Sequence, residues 1–292
     1  MRRIEIKHVT EYRFSTAVTL QPHQLLLRPR ESHNLRITSS SLDIQPAHSL
    51  RWHRDALDNS VAEASFLVPS HKLRIESNVT VEVYKDRPLD FLVEDYAVLY
   101  PFEYAEKEQP DLAAFRQCVY PRDQSDVQLW LDSLGCFEGA IETFSLLDRM
   151  NRDIAKHFAY QVREEPGVQS PGRTLYTRSG SCRDFAALFM EACRHLGLAS
   201  RFVSGYLDTT GTNVGNASTH AWTDVYLPGP GWKGFDQTSG LLSGNRHIAM
   251  AVARHPEAVP PVAGTYLGPP GQSPEMLVSV SVMPLDMQRS PA

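Results

Sequence analysis

Residues 180–238 limit the fold of this chain more than any other stretch. Ser179-Gly180-Ser181 is a turn ending in a capping residue, and the run from Cys182 to Leu196 follows it. Phe185, Phe189, Ala192 and Leu196 recur at helical spacing on one face, and Gly197 is a natural C-terminal stop. His220-Ala221-Trp222-Thr223-Asp224-Val225-Tyr226-Leu227 then alternates as a strand. Pro228-Gly229-Pro230-Gly231 is a turn, and Trp232-Lys233-Gly234-Phe235-Asp236-Gln237-Thr238 returns. A helix with one apolar face and a hairpin with one apolar face must each be covered. The expectation is an α+β unit in which the helix packs on an antiparallel sheet.

The same segment carries chemistry. Cys182 falls in the first turn of the helix, where unpaired N–H groups and the helix dipole favour an anion. A cysteine by itself is most often a packed residue. Cys193, mid-helix among apolar neighbours, reads that way, and so do Cys118 and Cys136. What sets Cys182 apart is a partner. His220 opens one strand of the hairpin and Asp236 lies on the other, at positions of equal parity, so both side chains project from one face. A thiol, an imidazole and an orienting carboxylate form a nucleophilic triad: Cys182 attacks, His220 is the general base and acid, and Asp236 holds the ring. The backbone N–H of Cys182 is the first oxyanion donor, with Tyr176 or Gln169 as candidates for the second. The other histidines, His195 and the scattered His8, His23, His33, His48, His53 and His71, have no ligand spacing. A zinc site built from Cys182, His220 and Asp236 ranks below the triad. Glu164-Glu165 reads as solvated loop charge, and Gly211/Gly215 as a loop rather than a phosphate cradle.

Upstream, residues 1–88 read as a β-rich domain of sandwich type. Ile4, Ile6 and His8 alternate, as do Val79, Val81 and Val83, and between them lie Leu25–Leu27, Leu35–Ile37 and Phe66–Val68. Asp55-Ala56-Leu57-Asp58-Asn59 is a tight turn. Residues 89–292 form the second domain, with a core at about 140–240. Its lead-in is broken by Pro101, Pro110 and Pro121 after Pro88, and reads as an extended linker. Helices are expected at Val127–Leu134 and Ile141–Phe158. The Pro- and Gly-rich stretch 256–274 leads to an alternating strand at Met276–Val282 that closes a sheet begun earlier.

Composition excludes several classes. Lys and Arg number 29 against 34 Asp and Glu, a net charge of -5 with no basic cluster, so a nucleic-acid partner is not expected. No apolar run approaches the ~20 residues of a membrane span. The four cysteines form no CxxC pair. Arg2-Arg3 is followed by no apolar targeting segment, and the expectation is a cytoplasmic protein without a cofactor.

Four segments in order, Arg178–Ala186, Arg201–Leu207, His220–Leu227 and Gly231–Asp236, resemble the core of bacterial transglutaminase-like proteins, often described as candidate cysteine proteases. His8-Val9-Thr10-Glu11-Tyr12-Arg13-Phe14 and Leu25-Leu26-Leu27-Arg28-Pro29-Arg30 resemble the β-rich region that accompanies that core. The resemblance implies a papain-like catalytic fold and the roles given to Cys182, His220 and Asp236. It also exposes two departures: Gln237 where the family often has Pro, which would loosen the strand end, and Asp58 where it often has Gly, which Asp tolerates. Three functions stay open. Hydrolysis of peptide or protein amides ranks first, amine transfer to glutamine second, and a non-catalytic binding module third. The oligomeric state is not legible.

Overall fold

The computed structural model describes residues 1–84, 89–163, 165–209 and 219–285. Glu164, Pro88 and the Gly211/Gly215 pair lie outside the described residues. The chain opens with six strands: β1 (Arg2–Leu20), β2 (His23–Leu25), β3 (Leu35–Gln45), β4 (His48–Arg54), β5 (Ser60–Phe66) and β6 (Ser70–Val83). Its middle alternates β7 (Leu99–Tyr100), α1 (Gln109–Arg116), α2 (Gln124–Ser133), β8 (Ile141–Glu142), α3 (Thr143–His157), β9 (Ala159–Tyr160), α4 (Pro171–Thr177), β10 (Ser179–Gly180) and α5 (Cys182–His195). The remainder is strand: β11 (Ser200–Leu207), β12 (Thr219–Leu227), β13 (Gly231–Asp236), β14 (Leu241–Leu242), β15 (His247–Ala253), β16 (Val262–Ala263), β17 (Tyr266–Leu267) and β18 (Glu275–Leu285). Among the described residues no helix is long and apolar enough to cross a membrane.

Period-two patterning builds the first unit. One sheet runs β17-β1-β6-β3 with β18 also on β1, and a second runs β16-β2-β5-β4. Phe14, Val18, Leu25, Ile44, Ala62, Leu73 and Ile75 fill the space between them, as a two-sheet sandwich requires. The late strand does close a sheet begun at residue 2, with Ile6 opposite Val282. The same long strands then reach beyond the sandwich. Ile4, Ile6, Val79, Val81 and Val83 pack against Tyr206, Ile248 and Met250 of the sheet that follows.

That sheet is antiparallel throughout, in the order β14-β13-β12-β11-β15. Helix α5 lies on it, and Phe185, Leu188, Phe189 and Ala192 share a core with Val225, Leu227 and Phe235. Each large apolar side chain buried there contributes roughly 1.5–3 kcal/mol. The chain is thus α+β, with a helix on an antiparallel sheet. The helix is more enclosed than a one-faced pattern implies. Glu191 and Arg194 are buried, because Glu191 accepts from the N–H groups of Val119 and Tyr120 while Arg194 donates to the carbonyls of Phe115, Ser200 and Arg254.

The stretch read as an extended linker contains a helix. Pro110 stands in the first turn of α1, where its missing N–H costs no hydrogen bond, so it starts a helix rather than breaking one. The 55–59 turn forms as expected, with Asp58 at φ 60°. Its Asn59 side chain accepts from Val252 N–H at 2.8 Å and donates to Val252 O at 2.8 Å, so the turn pairs with β15 as a neighbouring strand would.

Candidate active site

Cys182 is placed by the loop before it. Ser179–Gly180 pairs in parallel with Ala159–Tyr160, and Ser181 caps α5. The fully buried Asp184 accepts from Ser181 N–H at 2.8 Å, from Ser181 Oγ at 2.8 Å, from Gln169 N–H at 2.7 Å and from Arg163 Nε at 2.8 Å. One carboxylate therefore ties the 163–169 segment to the first turn of the helix. A side chain at position 180 would meet Asp184 Cβ at 2.9 Å, so glycine is needed there for close approach. As the first residue of α5, Cys182 has a backbone N–H with no acceptor within the helix.

The hairpin supplies the rest. β12 and β13 pair with Thr223 opposite Phe235, which sets His220 and Asp236 on the same face. His220 Nε2 lies 3.0 Å from Asp236 Oδ1, the contact that equal parity predicts. The Cys182 side chain lies beside the His220 ring, and both line one cleft. Trp222 shares the face, with its ring 6.3 Å from that of His220, and Trp232 lines the same cavity as Trp222. Gly205, opposite His220, leaves room for that indole, since a Cβ there would sit 2.5 Å from the Trp222 ring and 2.5 Å from Ile248 O.

Asp236 is 1% exposed and accepts four bonds. Oδ1 takes His220 Nε2 and Thr238 N–H at 3.0 Å each, and Oδ2 takes Ser239 Oγ at 3.0 Å and His247 Nε2 at 3.1 Å. Burial alone would raise its pKa, but the bonds from His220 and His247 outweigh it and hold the carboxyl far below the usual range. Burial alone would lower the pKa of His220, and the bonds to Asp236 and Cys182 reverse that, raising it to about 10. Gln237 stands just past the strand end, with its side-chain oxygen buried and unpartnered. It is buried, and its amide donates to Phe235 O at 2.7 Å.

Of the two candidates for the second oxyanion donor, one is exposed and the other is engaged elsewhere. Tyr176 is 84% exposed, and the Gln169 amide is engaged by Thr174 Oγ1 at 3.0 Å and Ser179 O at 2.9 Å. Tyr160, passed over in the sequence, lies close enough to Cys182 for the two side chains to interact electrostatically. Its pKa is raised to about 12, by burial first and by Cys182 next. His247 was also missed, since it stands in no motif. Among the described residues, Cys182 does not join His220 and Asp236 in a group of donor atoms that could hold a metal ion. The donor atoms of His220, Asp236 and His247 lie within 4.8 Å of one another, yet each imidazole meets a different carboxylate oxygen at hydrogen-bond distance. Beside Cys182 and His220 opens a cleft of about 320 Å³, walled by Phe202, Ala221, Val259, Pro260 and Pro261, with Glu257 among its lining residues.

Comparison with known proteins identifies the family and the fold. Residues 4–82 match the model of the bacterial transglutaminase-like N-terminal region, and residues 137–237 match that of the transglutaminase-like superfamily. An uncharacterized protein of Mycobacterium tuberculosis is 30% identical over 301 residues, covering 97% of this chain and 93% of its own. The peptide-N(4)-(N-acetyl-beta-glucosaminyl)asparagine amidase of Gallus gallus is 30% identical over 112 residues, 34% of this chain and 17% of that protein. The crystal structure of a candidate cysteine protease from Cytophaga hutchinsonii superposes with a TM-score of 0.73 at 18% identity, covering 99% of this chain and 93% of that one. At that identity the likeness concerns the fold.

Proposed function

The chain belongs to the transglutaminase-like superfamily, and on that premise we propose that it hydrolyses amide bonds of peptides or proteins through a thioester on Cys182. One observation carries the reading: the His220 ring bonds a buried, four-fold bonded carboxylate and lies beside a cysteine at a helix start. Cys182 Sγ attacks the amide carbonyl carbon, and its proton resides on His220. The oxyanion forms near the Cys182 backbone N–H and the hydroxyl of Tyr160, whose side chain lies beside Cys182. As the C–N bond breaks, His220 gives its proton to the leaving amine. Water then attacks the thioester and passes a proton to His220. The carboxylic acid departs and the Cys182 sulfur is released with its proton again on His220. Asp236 keeps the ring in the tautomer that serves both steps.

The cleft supports a peptide substrate, because its Phe202, Val259, Pro260 and Pro261 walls suit an apolar side chain next to the scissile amide. A relative named as an amidase, matched over a third of this chain, supports an amide substrate. Hydrolysis ranks above amine transfer because water is present at ~55 M and only a closed channel favours an amine over it. The segment from Cys182 to Asp236 has no large insertion from which to build one. The test incubates the protein with a fluorogenic peptide-amide library and a fluorescent amine, with Cys182→Ala as control. Cleavage lost in the variant is expected. Dominant amine incorporation lost in the variant would make the protein a transferase, and activity that survives Cys182→Ala would remove the thiol from the mechanism.

A further inference from the structure

His247 stands at the start of β15, on the far side of β11 from the hairpin, yet its ring reaches the Asp236 carboxylate. The bond has a defined direction. Gly244 N–H donates to His247 Nδ1 at 3.2 Å. A backbone N–H can be accepted only by an unprotonated ring nitrogen, so the proton is on Nε2, and Nε2 donates to Asp236 Oδ2 at 3.1 Å. The turn that carries the ring is itself tied, with His247 N–H donating to Gly244 O at 2.8 Å. Trp222 packs edge-on against the ring at 5.2 Å and also stands beside His220.

A carboxylate turns readily about its last side-chain torsion, which is broad and two-fold. Here the turn is blocked at both oxygens, by His220 and Thr238 on one and by Ser239 and His247 on the other. Ser239 alone could follow a rotating oxygen, since a hydroxyl on a short side chain reorients. The ring of His247, fixed by Gly244 and Trp222, could not. We propose that His247 is a positioning residue that locks the Asp236 carboxylate in the plane of His220 and thereby sets the reactivity of Cys182. This rests on the reading of Cys182 as the nucleophile. Arg30, Glu31, Arg201 and Asp224 line the cavity behind His247. Arg201 and Asp224 are paired at 3.0 Å, and Asp236 is the acceptor bonded to Nε2.

The experiment reads the alkylation rate of Cys182 by iodoacetamide at pH 7 and at pH 10, so no substrate is required. His247→Phe keeps a ring against Trp222 and removes the donor. His247→Gln removes the ring and keeps an N–H that can reach Oδ2. Protection of Cys193 serves as the control for an intact core. His247→Phe should slow labelling at pH 7 about tenfold, the scale of one hydrogen bond to a charged group. At pH 10, where any accessible thiol ionises, the rates should converge, while His247→Gln should stay within about threefold of the native chain. If His247→Phe exposes Cys193, His247→Asn, whose amide is too short to reach Oδ2, replaces it. A His247→Phe protein that labels at the native rate at pH 7 overturns the inference and leaves the nucleophile reading intact. A ring-packing role would instead spare His247→Phe and impair His247→Gln, and that pattern also overturns it. A native Cys182 no faster than Cys118 overturns the nucleophile reading and this inference with it.

Discussion

The two ends of α5 carry the same residue type in opposite circumstances. Cys182 stands half-buried in the first turn, at the edge of a cleft, with Tyr160 and His220 beside it. Cys193, about three turns further along, is wholly buried beside Leu188, Phe189 and Leu196, and burial pushes its thiol far above the ordinary range. The helix is continuous between them. The difference comes from what the following strands bring. The Cys182 end meets the strand that carries a charge-bearing imidazole, and the Cys193 end meets apolar side chains and the Arg194 and Glu191 pair. Sequence neighbours alone do not make a cysteine reactive. The residues folded against it do.

The sharpest way to break this contrast is to label both thiols at once. Brief iodoacetamide treatment at pH 7, read by peptide mapping, should modify Cys182 on the order of a hundredfold faster than Cys193. Equal labelling would mean the two ends do not differ.

A second test concerns the charge that distinguishes the Cys182 end. The pKa of His220 is raised from the ordinary 6.5 to about 10, so the imidazolium persists below that value and is lost as pH rises through it. Turnover of a cleaved peptide should therefore fall about tenfold per unit above pH 10, since the leaving amine then lacks its proton donor. The stability tied to this group has the same sign. It is fully present below 6.5 and is lost as pH approaches 10. An alkaline limb centred near pH 7 would show that the Asp236 and Cys182 bonds do not hold the proton.

The smallest effect should come from the buried end. Cys193→Ala removes a packed sulfur and should lower unfolding free energy by about 1–2 kcal/mol, measured as an earlier denaturant midpoint. Labelling of Cys182 should stay within about twofold. A large loss there would show that the two ends are coupled through the helix.

Much of the site was legible because it rests on short-range patterns. The capping serine before Cys182, the helical spacing of Phe185, Phe189 and Ala192, and the turn at 228–231 are local signals, and the α+β fold with its helix on an antiparallel sheet follows from them. Equal parity placed His220 and Asp236 on one face because strand period is two. The linker reading of residues 89–123 failed at α1, because a proline marks the start of a helix as readily as its end, and only the packing of Leu112 against Tyr104 and Ala199 decides which. Glu191 and Arg194 carry solvent-type charges. Their burial depends on loops that fold over them from residues 115–120 and from Arg254.

By itself the sequence determined the nucleophile helix and the hairpin, the family and the face on which His220 and Asp236 stand, since helix and strand periods act on neighbours within a few residues. Only the tertiary structure decided that Tyr160 lies beside Cys182 and that His247 lies on Asp236. The first contact depends on a two-residue parallel ladder between Ala159–Tyr160 and Ser179–Gly180. The second depends on sheet order, because β15 pairs with β11 and its first residue must cross the end of the sheet to meet β13. Sheet order is a property of which strands bury each other's faces, and no spacing along the chain encodes it.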